Sequence, residues 1–533
     1  MRRVRSPYVW FALPLAFVLG AWLRIDQLSN QVLIEDEWHP VHQVIYYSWL
    51  HVFGSFGNAD YSIPLTAWYY ALANAVGVSE LDLRIPPLMA GIYAVVLIPW
   101  WLRRSFDTRA IAILGFLLAV SPFLISYSRI ARSYALTLLG VYAALWCLQC
   151  AIRNAPEFRW CYGVAYSVLC GLVAWAHPIT GPLLVAPLAF LAWGVWRGNG
   201  IRWATLVKLT ALAGVCMAVF VLPPLLHDPA ALAGKSGRDQ IGVDTIVGAW
   251  HLWIGTGSSA VAAIALVLAA LGIGTAVRRS HIVRWVVAGA TLTVVALFVT
   301  QPWWINQPLA FGRYLLAVVP VVLLAIALGM LRVGDGIRRL WRGRAAPRPA
   351  ASLLALPVAL LAWWPTSPHP DLLHEPNSYT QHSYFQLDYR VERNPVRKFL
   401  PTLPKSGLWN AIAAAPPESL TIAVAPFRYA TYEWPAPYWE LIGHQRVIPA
   451  FLWGTCEATR YGEVPPDSRF RFQNAVHVSS EADLLGKQVA YLAYFKGKAG
   501  LSEPLPKCEA WMRTRFGPPH FEDEVLAIWD LGN

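Results

Sequence analysis

A cluster of acidic residues at Glu35, Asp36 and Glu37 follows the first long apolar run of the chain. That run, at about residues 8–23, is long enough to cross a bilayer together with its flanks. Carboxylates at the end of a membrane span are costly unless they face water, a partner charge or a substrate. Asp36 and Glu37 are therefore candidates for a general base on an outward-facing cavity. The alternative is that they cap a helix N-terminus, where the helix dipole favours acids.

Two further groups near this cluster are candidates for the same site. Asp60 is a second acid, which either serves the chemistry or caps a helix that starts at Pro64. His39 and His42 share one helical face with Asp36, so a divalent metal site is one alternative. The zinc-protease pattern HExxH is absent from the sequence. We therefore interpret His39 as a polar partner or a sugar contact.

Basic residues lie at the outer ends of several apolar runs. Arg129 and Arg132 are three residues apart, on one helical face, and can bind a phosphate through paired hydrogen bonds. The alternative is that they reach to the membrane interface. The other residues that we assign to the same anion-binding or substrate-binding site are Arg84, Tyr134, His177, Lys235, Arg238, Arg313 and Tyr314.

Composition identifies the class of protein that must position these residues. The chain has 533 residues, of which 56% are apolar and only 14% charged, and its mean hydropathy is +0.42. Soluble domains carry about 25% charged residues. The net charge of +12 sits mainly in short loops between apolar runs, a pattern that sets membrane topology rather than nucleic-acid binding. The sequence therefore predicts a polytopic α-helical membrane protein.

Eleven apolar runs are long enough to suggest spans. They lie near residues 8–23, 85–102, 110–127, 133–151, 160–176, 179–196, 204–224, 259–277, 285–300, 309–331 and 351–364. With a cytoplasmic N-terminus, most basic residues fall in cytoplasmic loops, as the positive-inside rule requires. Seven basic residues before the last span fall on the outer side and need another explanation: Arg24, Arg84, Arg129, Arg132, Lys235, Arg238 and Arg313.

The remaining segments divide the chain into two predicted domains. Residues 1–366 form the transmembrane domain, whose first outer loop, 24–83, carries interfacial helices at about 35–53 and 64–76. Residues 367–533 form an extracytoplasmic α/β domain with strands at 420–424, 488–494 and 525–529 and a helix at 393–400. An oxidising compartment would permit Cys456 and Cys508 to pair, although the sequence does not show that they are close.

Several motifs occur in the order and on the side of the membrane typical of one family. They are Asp36-Glu37, Asp60 with Pro64-Leu65, Arg84 to Gly91, Arg129 to Leu136, His177 and Arg313-Tyr314. Over about residues 1–330 the chain thus resembles the GT-C membrane glycosyltransferases, especially the protein mannosyltransferase and aminoarabinose transferase branch. The Trp-Trp-Asp motif of oligosaccharyltransferases is absent, because Trp303-Trp304 precedes Ile305-Asn306. His39-Pro40 directly after the acidic pair is a second departure from the family pattern.

The resemblance implies a polyprenyl-phosphate-linked sugar as donor, a catalytic acid at Asp36, and donor phosphate held by Arg129, Arg132 and Arg313. We therefore expect an inner-membrane enzyme that moves a sugar to a hydroxyl of a lipid, glycan or protein on the extracytoplasmic face. One base suffices, because a lipid phosphate neutralised by arginine is a good leaving group. Alternatives are a transporter or flippase of an anionic lipid and a non-catalytic subunit for polysaccharide assembly.

Overall fold

The computed structural model describes residues 8–58, 61–155, 157–198, 200–342, 355–373, 410, 412, 414–427, 440, 443–456, 463–496 and 505–532. Its contacts divide the chain into two compact units. Unit 1 comprises Met1–Ile25, Leu50–Leu65 and Pro86–His369. Unit 2 comprises Asp26–Trp49, Thr66–Ile85 and Pro370–Asn533. Most of the first outer loop, which we assigned to the transmembrane domain, thus groups with the C-terminal part of the chain.

Helices dominate the described residues. In chain order they are α1 (Tyr8–Ile25), α2 (Glu35–Tyr46), α3 (Trp49–Gly54), α4 (Ile63–Ala75), α5 (Glu80–Leu102), α6 (Thr108–Val120), α7 (Pro122–Arg129), α8 (Tyr134–Ala151), α9 (Trp160–Ala176), α10 (Gly181–Trp196), α11 (Trp203–His227), α12 (Ala230–Ala233), α13 (Val243–Ile254), α14 (Ser259–Arg279), α15 (His281–Thr300), α16 (Pro308–Tyr314), α17 (Val319–Arg342), α18 (Ala355–Trp363), α19 (His369–Leu372), α20 (Glu481–Gly486) and α21 (Pro506–Phe516). Within unit 1, α14 packs along α17, α9 packs between α8 and α11, and α1 packs on α6.

The polytopic helical architecture is confirmed. Among the described residues, eight helices are long and apolar enough to cross a membrane, or nine if the bent pair α6–α7 is one span. The predicted number of about eleven is not confirmed, although each of the eleven apolar runs is mainly helical where it is described. The run at 160–176 gives a helix of 17 residues, and α18 has nine.

Two glycines let α14 and α17 approach closely. A Cβ atom at Gly272 would collide with the carbonyl oxygen of Ala325, and one at Gly329 would collide with that of Leu268. Membrane helices gain little from the hydrophobic effect when they associate, so close backbone packing at small residues supplies much of the attraction. The reciprocal glycines therefore fix the tightest helix pair of unit 1.

A break in unit 1 separates α6 from α7 at Ser121-Pro122, where the two helices meet at 54°. Pro122 starts α7 and offers no backbone N–H, so it cannot continue the α6 ladder. The carbonyls at the α6 end find side-chain donors instead. Arg24 donates to Leu118 and Ala119, and a ring nitrogen of His369 lies 2.6 Å from the carbonyl oxygen of Val120. These contacts satisfy carbonyls that a bilayer cannot hydrate.

Unit 2 contains a six-stranded sheet. Its strands are β1 (Thr421–Ala425), β2 (Arg446–Phe451), β3 (Val476–His477), β4 (Val489–Phe495), β5 (Phe521–Glu522) and β6 (Leu526–Asp530), in the order β3-β2-β1-β4-β6-β5. The first four strands pair in parallel, and β6 pairs antiparallel with both β4 and β5. The α/β prediction for the C-terminal part and all three predicted strands are confirmed. The predicted helix at 393–400 lies outside the described residues.

The first outer loop differs in detail from its prediction. The predicted helix at 35–53 is divided into α2 and α3, because the chain is extended at Tyr47. The second predicted helix corresponds to α4. Within unit 2, Glu80 accepts hydrogen bonds from the backbone of Gln473 and Asn474, which ties the start of α5 to the segment before β3. Cys456 and Cys508 form a disulfide in the same unit.

Candidate functional site

The acidic cluster forms the first turns of α2 in unit 2. The backbone N–H of Ile34 donates to the Glu37 carboxylate at 2.9 Å, which satisfies one of the free donors at the helix start. The helix continues through Pro40, the residue that departs from the family pattern. Trp38 is buried, and its indole N–H donates to the carbonyl of Leu33 at 3.1 Å. The start of α2 is thus fixed on both sides of Asp36.

Glu37 and Arg84 form a fully buried ion pair within unit 2. Arg84 Nε lies 2.9 Å from one Glu37 carboxylate oxygen and Nη2 lies 3.0 Å from the other. The same guanidinium donates to the carbonyls of Gln31 and Val32 at 2.6 and 2.7 Å. These bonds occupy both carboxylate oxygens and both Nη atoms. Glu37 and Arg84, which we assigned to catalysis and substrate binding, therefore hold the α2 start in place.

Asp36 and His39 lie on a different face of α2 from Glu37. Asp36 is 8% exposed, and His39 is half-buried. A carboxylate in the first turn of a helix interacts favourably with the helix dipole. Within the part of the chain that the structure describes, no group of three His, Cys, Asp or Glu side chains is arranged to hold a metal. The alternative metal site of Asp36, His39 and His42 is thus not formed there.

The opposite side of α2 packs on the sheet of unit 2. Trp38 contacts Phe427, Phe451 and Phe472 at centroid distances of 4.7 to 5.8 Å. His42 lies 5.7 Å from the Trp38 ring. Burial, with a smaller contribution from His39, lowers the pKa of His42 to about 4. His42 is therefore a neutral ring of the unit 2 core and does not carry charge at neutral pH.

Arg129, which we assigned to the donor phosphate, is fully buried in unit 1. Its Nη1 lies 3.3 Å from the carbonyl oxygen of Leu23 and 3.4 Å from that of Arg24, at the C-terminal end of α1. Arg24 itself donates to Gly20 in α1 as well as to the end of α6. Arg24 and Arg129 thus both stabilise helix C-terminal ends, where positive charge is favourable.

A group of cationic and aromatic side chains surrounds Tyr134 and His177 in unit 1. The Arg132 and Arg313 guanidinium groups lie 5.9 and 5.6 Å from the Tyr134 ring centroid, within cation–π range. The His177 ring lies 5.4 to 5.7 Å from the rings of Tyr61, Tyr134 and Tyr314. Lys235 lies 4.6 Å above Tyr61. We call this set the cation–tyrosine cluster: Tyr61, Arg132, Tyr134, His177, Lys235, Arg313 and Tyr314.

The structure thus brings together six of the residues that the sequence singles out, on elements far apart in the chain. Arg238 is not among them, since its side chain is exposed and lies 4.9 Å above the Trp303 ring. Asp60 lies outside the described residues. Sequence reasoning missed Tyr61, which takes a left-handed backbone conformation with φ of 69°. A bulky residue in that region is unusual, and only the structure reveals it.

Part of the chain matches a known protein family. Residues 62–227 match the family model of dolichyl-phosphate-mannose-protein mannosyltransferases. The matched segment includes Arg84, Arg129, Arg132, Tyr134 and His177. No curated protein matches the chain significantly.

Solved structures show weak overall similarity. The oligosaccharyltransferase of Archaeoglobus fulgidus in its apo form has a TM-score of 0.46 and 14% identity, over 95% of this chain and 72% of that one. ArnT from Cupriavidus metallidurans bound to undecaprenyl phosphate has a TM-score of 0.44 and 12% identity, over 98% of both chains. TM-scores below 0.5 do not establish a shared fold. The family resemblance that its motifs predicted is confirmed over residues 62–227 by the match to the protein mannosyltransferase model.

Proposed function

We propose that this protein is a membrane glycosyltransferase that moves a sugar from a polyprenyl-phosphate donor to an acceptor hydroxyl on the extracytoplasmic face. The observation that carries the proposal is the cation–tyrosine cluster. It gathers Arg132, Lys235 and Arg313 around aromatic rings. Three of its seven members, Arg132, Tyr134 and His177, belong to the segment that matches a dolichyl-phosphate-mannose-dependent family.

The cluster suits the phosphate of such a donor. A cation–π contact does not itself neutralise a guanidinium or an ammonium group, and both groups bind phosphate through charge-assisted hydrogen bonds. The partial negative charge that develops on the phosphate as the sugar departs is stabilised in the same way. The donor phosphate then leaves without a general acid.

Asp36 supplies the remaining chemistry in this proposal. The acceptor hydroxyl oxygen forms a bond to the anomeric carbon, while the bond from that carbon to the phosphate oxygen breaks and its electron pair stays on the phosphate. The hydroxyl proton passes to the Asp36 carboxylate. Direct displacement inverts the anomeric centre. Glu37 and Arg84 act as positioning residues, because their ion pair holds the turn that carries Asp36.

The test is transfer by the purified full chain in nanodiscs. Polyprenyl-phosphate mannose with a radiolabelled sugar serves as donor, and a cell-envelope extract serves as acceptor. We expect Asp36→Asn to lower the transfer rate by about 10²- to 10⁴-fold. The matched control is Asp467→Asn, which changes an exposed carboxylate of unit 2 and should leave the rate unchanged. Transfer by Asp36→Asn at the original rate, or lipid movement across vesicles without transfer, would contradict the proposal.

A further inference from the structure

The polar face of α2 extends beyond Asp36 to a residue that the reaction above does not use. At 3.6 residues per turn, Asp36, His39 and Gln43 lie on one face at positions i, i+3 and i+7. The carbonyl oxygen of the Gln43 side chain is buried and accepts no hydrogen bond within the described part of the chain. A buried acceptor without a donor destabilises the folded protein. Such an atom calls for an explanation, and a ligand donor is one.

An aromatic pair lies at the far end of the same face. The rings of Tyr46 and Trp453 have centroids 6.1 Å apart, and both are partly exposed. The Tyr46 hydroxyl donates to the carbonyl of Glu463. Trp453 follows the end of β2 and lies three residues before Cys456, whose disulfide to Cys508 anchors this loop. Both rings are therefore held in place while part of their apolar surface stays accessible.

The spacing of these groups sets the size of the molecule that fits them. Seven residues of helix separate Asp36 from Gln43, which corresponds to about 10 Å along the axis. One sugar ring is too short to meet both residues, whereas two linked rings reach. Sugars also combine hydroxyl donors at the ring edge with an apolar C–H face. The Gln43 carbonyl suits the first property, and the Tyr46–Trp453 pair suits the second.

We propose that the face of α2 from Asp36 to Tyr46, together with Trp453, is an acceptor subsite for an oligosaccharide of at least two sugar units. This inference rests on the proposed function, since Asp36 accepts the proton of the hydroxyl that becomes glycosylated. A hydroxyl of the neighbouring sugar donates to the Gln43 carbonyl. The next ring along the glycan stacks on the aromatic pair.

The experiment measures equilibrium binding of labelled mannose, mannobiose and mannotetraose to the full chain in nanodiscs, without donor. We expect mannobiose to bind about tenfold more tightly than mannose, and Gln43→Met to abolish this gain. Trp453→Ala should remove the further gain from mannobiose to mannotetraose. Gln473→Met is the matched control, because it changes an exposed glutamine of unit 2 and should leave all three affinities unchanged. A thermal unfolding midpoint and a size-exclusion profile that match those of the original protein show that each variant is folded.

Equal affinity for the three sugars would overturn the inference, and so would an unchanged length dependence in Gln43→Met. Binding of a serine- and threonine-containing peptide with the same dependence on Gln43 would assign the subsite to a protein acceptor and also overturn it. The outcome is separable from that of the proposed function. Length-dependent binding with no sugar transfer refutes only the function, whereas transfer with no length dependence refutes only the subsite.

Discussion

Buried arginines occur in both units of the molecule, but their partners differ. In unit 2, Arg84 forms a two-point ion pair with Glu37 and is neutralised by it. In unit 1, Arg24 and Arg129 donate to backbone carbonyls at the ends of α1 and α6. A carbonyl at a helix C-terminus carries only a partial negative charge, so it stabilises the guanidinium without cancelling its charge.

Arg132 and Arg313 show a third arrangement, also in unit 1, in which each guanidinium lies within cation–π range of a tyrosine ring. The groups that contact an arginine are therefore a better guide to its role than its place at the end of a predicted span. A carboxylate or a row of carbonyls indicates a structural role. A cation–π contact with an aromatic ring does not by itself neutralise a guanidinium.

The largest effect should come from breaking the neutralised pair. Glu37→Gln leaves the Arg84 charge buried without its counter-charge, and we expect a loss of about 3–5 kcal/mol in the free energy of unfolding. Thermal unfolding of the purified protein measures it. The double variant Glu37→Met with Arg84→Met removes both charges and should recover most of the loss. A single variant as stable as the original protein would show that the pair is dispensable.

The second-largest effect is the acid sensitivity that His42 of unit 2 gives to the free energy of unfolding. Burial lowers the pKa of His42 to about 4, below the usual 6.5, so the folded state resists protonation. Its contribution to the free energy of unfolding, about 3 kcal/mol, is complete above pH 6.5 and is lost as pH falls towards 4. His369 in unit 1 has a pKa lowered to about 4 as well, mainly by burial and further by Arg24.

Comparison with His42→Phe isolates the unit 2 contribution. The variant should lose less stability than the original protein between pH 6.5 and 4, as followed by the shift in Tm. An identical pH dependence in both proteins would show that His42 does not control acid sensitivity.

The third effect tests the carbonyl-bound arginines. Arg24→Met leaves the carbonyls of Leu118 and Ala119 without their donor, and we expect a loss of about 2–3 kcal/mol. Arg24→Lys retains the charge but reaches fewer acceptors, so it should recover only part of the stability. A pure charge effect predicts full recovery by lysine, and Tm values of the two variants decide between these accounts.

The smallest effect on stability should come from substituting Arg132 or Arg313, which should instead weaken binding of the donor. Arg132→Gln and Arg313→Gln should each raise the KM for polyprenyl-phosphate mannose about 10- to 100-fold, while Tm changes little. Arg238→Gln is the matched control, because that arginine lies outside the cation–tyrosine cluster and should change KM less than twofold. Initial rates at varied donor concentration test all three. Equal effects at Arg238 and Arg132 would remove the distinction on which the comparison depends.

Sequence reasoning predicted the elements well, because apolar runs and strand alternation report local burial. It also singled out six of the seven members of the cation–tyrosine cluster, because all six lie on the same predicted side of the membrane. It assigned Arg129 and Arg132 to the same site, although Arg129 donates to the C-terminal carbonyls of α1, whose position depends on tertiary structure. It missed β2, whose Pro449 interrupts the strand pattern, and the short strands β3 and β5. The pairing of Glu37 with Arg84 likewise depends on tertiary structure, since 47 residues separate them.

The disulfide of unit 2 also provides a marker of compartment. Such bonds persist where the surroundings are oxidising, whereas cytosolic thiols stay reduced. A membrane-impermeant reductant followed by a mass-tagged maleimide, applied to intact spheroplasts, would label Cys456 and Cys508 only if unit 2 faces outward. Because α2 belongs to the same unit, that labelling would also report on which side of the membrane Asp36 works.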